Sequence, residues 1–340
     1  MNFASDNTAG VSPEIIEALA RANDGAAMPY GDDVVTDKVQ ARFNEIFECD
    51  TTTFLVATGT AANAIALTAL SPSYGSIYCH RDSHINCDEC GAPEFYTGGA
   101  KLVTLPGAHG KLHHGELDTA LAATSDSIHH TQPAAISLSQ ASEAGTIYGL
   151  GEIRQIGELA KENGLYVHMD GARFTNALIT LGCSPAEMTW KSGIDVLSFG
   201  ATKNGAMCAE AIIFFNKDLA KEAGYKRKRG GHLFSKMRYL AAQWDAYLDN
   251  DLWLKNARHA NDMAQKLQEG LQTIPGAELY YSVEANEIFI TLPEASLQRL
   301  EQAGYGFYRW LDPHSPLIRL VTNFNTKEED VDGFIKTAKG

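Results

Sequence analysis

The sequence predicts an α/β protein with a mostly parallel sheet flanked by helices, followed by a smaller C-terminal α/β unit. Three observations carry that expectation. Residues 165–169 and 196–199 are apolar runs of strand length, and residues 172–181 between them repeat their apolar side chains at helical spacing, the pattern of a parallel strand, helix, strand crossover. Short apolar runs and amphipathic stretches alternate in the same way from Phe54 to Phe215. Beyond a long amphipathic segment at 252–274 the alternation continues with shorter pieces.

Taken in order, residues 1–14 are expected to form an N-terminal arm. The stretch 13–23 puts Ile15, Ile16, Leu19 and Ala20 on one face, with Ser12 as N-cap and Pro13 in the first turn, and is expected to be a helix. A second helix is expected at 36–48, striped by Val39, Phe43, Ile46 and Phe47. A strand at 54–57 runs into Thr58-Gly59-Thr60-Ala61-Ala62-Asn63 and a helix through Leu70. A small-residue turn of that kind leaves free N–H groups at the positive end of a helix, where an anion binds, although it also serves as a plain tight turn. Strands at 76–79, 101–105 and 134–138 follow, with helices at 115–123 and 151–163. After a strand at 211–215, residues 219–247 read as mostly helical and broken at Gly230-Gly231. The long helix ends at Pro275-Gly276, and 278–281, 287–292, 295–303, 318–321 and 328–338 alternate strand and helix, which predicts an antiparallel sheet. The large domain is therefore placed at 15–249 and the small one at 250–340.

Bulk properties narrow the function. The chain has 340 residues and a formal net charge of −14, which disfavours nucleic acid as a partner because phosphate binding needs a basic face. Its basic run, Tyr225-Lys226-Arg227-Lys228-Arg229, is too short for a tail. No apolar stretch approaches the roughly 20 residues that cross a bilayer, and a cytoplasmic location is expected. Six cysteines in a chain of this length do not read as a disulfide framework. Cys87-Asp88-Glu89-Cys90, with His80 and His84 upstream, has half the spacing of a zinc site but no second pair, so no metal is assigned. The cluster His109, His113 and His114 reads as a wet loop.

The predicted crossover ends one strand at Asp170 and the next at Lys203, both on the side of an open sheet where ligands bind. An acid and a lysine so placed suit pyridoxal 5'-phosphate: the amine bonds the coenzyme aldehyde and the carboxylate keeps the pyridine nitrogen protonated. Read singly, Asp170 is equally a helix cap and Lys203 a loop lysine. A nicotinamide site is disfavoured, since no GxGxxG follows a strand.

Further pieces then fall in a recognisable order: Ser5-Asp6, Tyr30-Gly31-Asp32-Asp33, the Thr58–Asn63 turn, Ser83-His84-Ile85, His168-Met169-Asp170-Gly171-Ala172-Arg173, Thr202-Lys203-Asn204-Gly205, Arg227-Lys228-Arg229-Gly230-Gly231 and Arg319-Leu320-Val321-Thr322-Asn323. Along nearly its whole length the chain resembles the fold type I pyridoxal phosphate enzymes, and within them the threonine aldolase and β-eliminating lyase group. The resemblance implies a large domain with a mostly parallel seven-stranded sheet, and cleavage of a β-hydroxy-α-amino acid to glycine and an aldehyde, with β-elimination as the alternative. It implies that Lys203 bonds the coenzyme, Asp170 pairs with the ring nitrogen and His84 stacks on the ring. Gly59, Thr60 and Arg229 would take the phosphate. Arg173 and Arg319, with Ser5, would hold the substrate carboxylate, Arg173 also touching the coenzyme; Tyr30 would bind substrate by reaching the site of a neighbouring chain in a homodimer or homotetramer. His84 is a candidate base for the β-hydroxyl proton on chemical grounds, and the identity of that base is left open. Three places depart from the group's pattern. Ala4 stands where an arginine often precedes Ser-Asp, the loop after Lys203 reads Asn-Gly-Ala-Met-Cys, and Ser139-Gln140-Ala141-Ser142-Glu143 lacks the histidine that many members direct at the hydroxyl.

Overall fold

The computed structural model describes residues 2–340. Its larger sheet is built from β1 (Thr52–Val56), β2 (Gly75–His80), β3 (Lys101–Leu105), β4 (Gln132–Ser139), β5 (Tyr166–Gly171), β6 (Val196–Gly200) and β7 (Glu210–Phe214), in the order β1-β7-β6-β5-β4-β2-β3. The pairs from β6 to β3 are parallel, and β7 runs antiparallel to both its neighbours. The smaller sheet contains β8 (Glu278–Leu279), β9 (Glu287–Thr291), β10 (Tyr308–Arg309) and β11 (Leu317–Val321), ordered β10-β11-β9-β8 and antiparallel throughout.

The two-residue period of the strands decides which side chains reach the site. Val167, Met169, Leu197, Phe199, Ala211 and Ile213 point into one core, with Phe43, Phe47 and Trp244. Val196, Ile212 and Phe214 point to the other face, against the buried Gly59–Leu70 helix. Asp170, one residue out of phase with Met169, therefore shares the face of that helix, and so does Glu210. The Gly59–Leu70 helix is rich in alanine, which lets its backbone lie close to the sheet.

A third core lies on the smaller sheet, where Ile288, Ile290, Ile318 and Leu320 pack on Leu267, Leu271 and Phe334. Phe3 of the arm enters it, 1% exposed and edge-on to Phe334 at 5.0 Å. Burying that ring contributes about 1.5–3 kcal/mol. Hydrogen bonds from Phe3 N–H to Gly306 and from Val321 N–H to the Phe3 carbonyl, both 2.7 Å, fix the arm's path.

Boundaries differ from the sequence reading in interpretable ways. The second helix is Val34–Ile46, starting earlier because Asp33 caps it by accepting from the Val35 and Thr36 N–H groups at 3.1 and 3.0 Å. The short helices His84–Cys87 and Ala92–Thr97 are absent from that reading because neither is long enough to display a period. Lys217–Arg229 and Arg238–Leu248 are separate helices, parted at the expected Gly230-Gly231 break.

Candidate active site

β5 ends at Gly171 and β6 at Gly200, and both open onto one cavity of about 220 Å³ lined by Asp170, Lys203, His84, Gly59, Thr60 and Arg173 among others. Gly171 keeps the two strand ends close. A Cβ there would lie 2.7 Å from Leu197 Cδ1 and 2.8 Å from the Ser198 carbonyl oxygen, so any side chain would push β5 off β6.

Asp170 is 6% exposed, and its carboxylate is held from both sides. The Ala172 N–H donates to Oδ1 at 3.0 Å and Asn63 Nδ2 to Oδ2 at 2.8 Å. The same Asn63 amide donates to Glu89 Oε1 at 2.8 Å, and that oxygen lies 2.8 Å from His84 Nδ1. A chain of contacts thus runs from Asp170 through Asn63 and Glu89 to His84. The hydrogen bond that His84 donates to Glu89 raises the His84 pKa above its usual value, against the opposing effect of burial and with help from Asp170 and Glu143. Burial pushes the Glu89 carboxyl up as well, against its bonds to His84 and Asn63. Below this network His168 is fully buried between Ser137 Oγ at 2.8 Å and Ser198 Oγ at 2.9 Å; burial lowers it to about 4, so it is neutral.

Lys203 lies in a short turn that its neighbours clamp. Asn204 Nδ2 donates to the Tyr247 hydroxyl at 2.6 Å and to the Trp253 carbonyl at 2.9 Å, and Asn256 Nδ2 donates to the Asn204 carbonyl at 2.8 Å. Gly205 follows with φ +115°, a backbone shape that side-chain-bearing residues rarely adopt. The Lys203 amine has no hydrogen bond or ion pair among the described residues. Two glutamates flank it. Burial drives both Glu143 and Glu210 up to about 7; Asp170 adds to this for each, and Lys203 opposes it.

The Gly59–Leu70 helix points its N-terminus at the same cavity. Thr58 caps it through Ala61 N–H at 3.2 Å, leaving the Gly59 and Thr60 N–H groups without partners among the described residues, and a Cβ on Gly59 would meet open space. A free amine, a carboxylate held by fixed donors and an open helix N-terminus on one wall fit a coenzyme with an aldehyde, a basic ring nitrogen and a phosphate.

A wider cleft of about 910 Å³ adjoins the cavity and includes Ser5, His84, Glu143, Arg173, Lys203 and Arg319. Arg173 is 9% exposed and committed to acids: its Nε donates to Asp6 Oδ2 at 2.8 Å, its Nη2 to Asp6 Oδ1 at 3.2 Å, and its Nη1 lies 3.2 Å from Glu287 Oε2. Arg319 donates through Nη2 to the Ala4 carbonyl at 3.2 Å, while its buried Nε has no partner. Ser5 caps a short turn through the Asn7 N–H at 3.2 Å. The structure thus brings together Lys203, Asp170, His84, Gly59, Thr60, Arg173, Arg319 and Ser5. Two sequence-predicted residues lie elsewhere on the single chain. Tyr30 is exposed with Lys228 Nζ 4.7 Å above its ring, and Arg229 is exposed on the last turn of Lys217–Arg229; neither lines the cavity or the cleft.

Sequence reasoning left Asn63, Glu89, Glu210 and Asp6 without roles. Asn63 closes the Thr58–Asn63 motif, and its place one turn into a helix that starts at the site was the usable signal. Glu89 sits inside the CxxC spacing that drew attention as a metal motif, yet its side chain is the buried one while Cys87 and Cys90 are exposed. Glu210 offered no signal, and Asp6 stood out only as part of the Ser5-Asp6 piece, because their roles depend on strand pairing and on where the arm folds back.

The chain matches the family described as Beta-eliminating lyase over residues 2–295. It is 46% identical over 310 residues to the low specificity L-threonine aldolase of Pseudomonas aeruginosa, covering 91% of this chain and 89% of that one. It is 44% identical over 329 residues to a second such enzyme from another Pseudomonas strain, covering 97% and 94%. The structure of Leishmania major threonine aldolase superposes with a TM-score of 0.93 at 28% identity, covering 99% of this chain and 98% of that one. The chain belongs to the β-eliminating lyase family and is a pyridoxal phosphate-dependent lyase of the corresponding α/β fold.

Proposed function

We propose that the enzyme cleaves a β-hydroxy-α-amino acid of the threonine, allo-threonine or phenylserine type into glycine and an aldehyde. The observation that carries this reading is the convergence of Lys203, Asp170 and the Gly59–Thr60 helix end on one cavity, in a chain close to half identical to low specificity L-threonine aldolases. Bound there, pyridoxal 5'-phosphate supplies the electron sink for the pair left when Cα–Cβ breaks. Lys203 would hold the coenzyme through its side-chain amine. Asp170, braced by Asn63 and Ala172, holds a proton on the ring nitrogen. Gly59 and Thr60 bind the phosphate through backbone N–H groups. Arg319, with Ser5 and Arg173, orients the substrate carboxylate, for which the guanidinium fork is suited. Tyr281, Phe289, Tyr308 and Trp310 give the outer cleft an aromatic wall that suits aryl as well as methyl side chains.

The same reading directs Tyr30 and Arg229 toward a second copy of the chain, as a homodimer or homotetramer; both are exposed, and Lys228, next to Arg229 in sequence, lies over the Tyr30 ring. Six free cysteines suit a cytoplasmic enzyme. β-Elimination stays as a second reading because the matching family carries that name. Incubation with threonine and, separately, with an S-substituted cysteine distinguishes them: glycine with acetaldehyde from the first supports the aldolase, whereas pyruvate with ammonia from the second alone overturns it. A light-scattering mass of one chain would overturn the assembly.

A further inference from the structure

Retro-aldol cleavage needs a base at the β-hydroxyl, and four titratable side chains lie near enough to Lys203 to be considered. Asp170 is engaged by Asn63 and Ala172. Glu210 lines the inner cavity but not the outer cleft through which the substrate's side chain must extend. His84 borders both, but its Nδ1 is tied to buried Glu89, a contact that raises its pKa. Glu143 also borders both spaces, and among the described residues its carboxylate makes no hydrogen bond or ion pair. An acid in such a place with nothing to hold it in the free protein is available to a ligand.

We propose that Glu143 is the catalytic residue that takes the β-hydroxyl proton. The inference rests on the aldolase reading and deepens it. In the step, the O–H proton passes to the Glu143 carboxylate and the O–H bonding pair becomes the second C–O bond of the aldehyde. The Cα–Cβ pair stays with Cα, which later gains one proton from a donor other than Glu143, while Glu143 returns its own proton to water, so glycine and aldehyde together contain the atoms of the substrate. The segment fits the task. Ser142, one residue before, accepts from Gly145 N–H at 2.9 Å through its carbonyl and donates from Oγ to the His109 carbonyl at 3.2 Å, fixing the turn that presents Glu143. The charged groups facing it are Asp170 and Glu287, which raise its pKa, and Lys203 and Arg173, which lower it; His84 and Cys87 lie close enough to feel its charge. Burial dominates, and at about 7 the carboxyl is matched to accept a proton at working pH.

The test compares wild-type, E143Q and E143D holoenzymes. In E143Q, kcat for glycine release from threonine should fall about 100-fold or more, the usual worth of a positioned base, with KM changed much less. Deuterium exchange at the α-carbon of glycine, which breaks no Cα–Cβ bond, should stay within about threefold. The rise of wild-type kcat/KM through about pH 7 should vanish in E143Q and return, shifted, in E143D. Independently of turnover, carboxyl-13C NMR of glutamate-labelled apoprotein should lose in E143Q one of the resonances that titrate near pH 7, leaving that of Glu210. E143Q with kcat within about threefold of wild type, or with an unchanged pH limb, overturns the assignment. So does loss of glycine exchange in parallel with cleavage, which marks a structural defect. A wild-type enzyme that exchanges glycine but releases none from threonine instead overturns the aldolase reading itself.

Discussion

Glu89 has no contact with the proposed substrate, yet it sets the state of the imidazole that borders it. One oxygen, Oε1, meets both His84 Nδ1 and Asn63 Nδ2, so the residue links the group proposed to stack on the ring with the carboxylate proposed to hold the ring nitrogen. Glu89→Gln keeps an oxygen for Asn63 and removes the charge. The His84 pKa should then fall toward the ordinary value of about 6.5, read from its ring-proton NMR shifts. The effect on stability follows in sign. A histidine raised in the fold contributes stability that is present below its unfolded pKa and fades as pH rises through its folded one, and a buried carboxyl raised by desolvation costs more as pH rises. Both shifts make wild type gain on E89Q toward low pH. The gain should be about 1 kcal/mol at pH 5, at the low end for a bond to a charged group because the imidazole side chain is 34% exposed, and should shrink or reverse by pH 8 in urea titrations. A gap that widens with pH would mean that Glu89 does not hold His84 charged.

At the scale of elements, strands and long helices were legible from the sequence wherever periodicity decided the matter. The crossover from β5 to β6 was readable because a parallel strand buried on both faces is a continuous apolar run, and because the chemistry falls at its carboxyl end. Less legible were features that depend on contacts distant in sequence: β10, two residues long and defined only by pairing with β11, and the acids Asp6 and Glu210. The turn after Lys203 lies between these cases. Its Gly205 is visible in the sequence, but the reason for it is not. A Cβ at that position would lie 2.3 Å from Ser12 Oγ and 2.7 Å from Asn256 Nδ2, on a backbone at φ +115°. Gly205→Ala should therefore cost about 2–4 kcal/mol, combining backbone strain with overpacking, and should slow coenzyme uptake by displacing Lys203. Thermal melting of the apoprotein and the growth of coenzyme absorbance on reconstitution measure the two effects. An unchanged melting temperature would show that the turn relaxes without loss.

Across the whole molecule, the first dozen residues connect parts that the sheets leave separate. Phe3 fills the small core, Asp6 receives Arg173 from the turn after β5, and Ser12 donates its N–H to the Gly205 carbonyl at 2.9 Å. Arg173 is the junction, since its other partner, Glu287, begins β9 of the smaller sheet. The Asp6 and Glu287 side chains are each 1% exposed, so removing the cation strands two carboxylates in the interior. Arg173→Ala should cost about 3–5 kcal/mol, as for breaking one side of a buried ion cluster. The triple change R173M, D6N and E287Q should recover most of that loss while leaving threonine binding weak, which separates the fold's need for Arg173 from the substrate's. Acid should mimic the single change. Burial pulls the Asp6 pKa up, but the charges of Arg173 and Lys203 and the bonds from Arg173 and Asn286 outweigh it and hold the carboxyl below its usual value. Stability from a depressed carboxyl is present above its unfolded pKa and is lost as pH falls through the folded one, so the cluster's contribution should persist at pH 5 and begin to fall only below about pH 4. Urea unfolding of apoprotein at pH 7 and at a series of pH values descending from 4 decides the matter: an Arg173→Ala deficit that does not shrink along the acid series would mean that the arm is held by its apolar contacts and not by this charge junction.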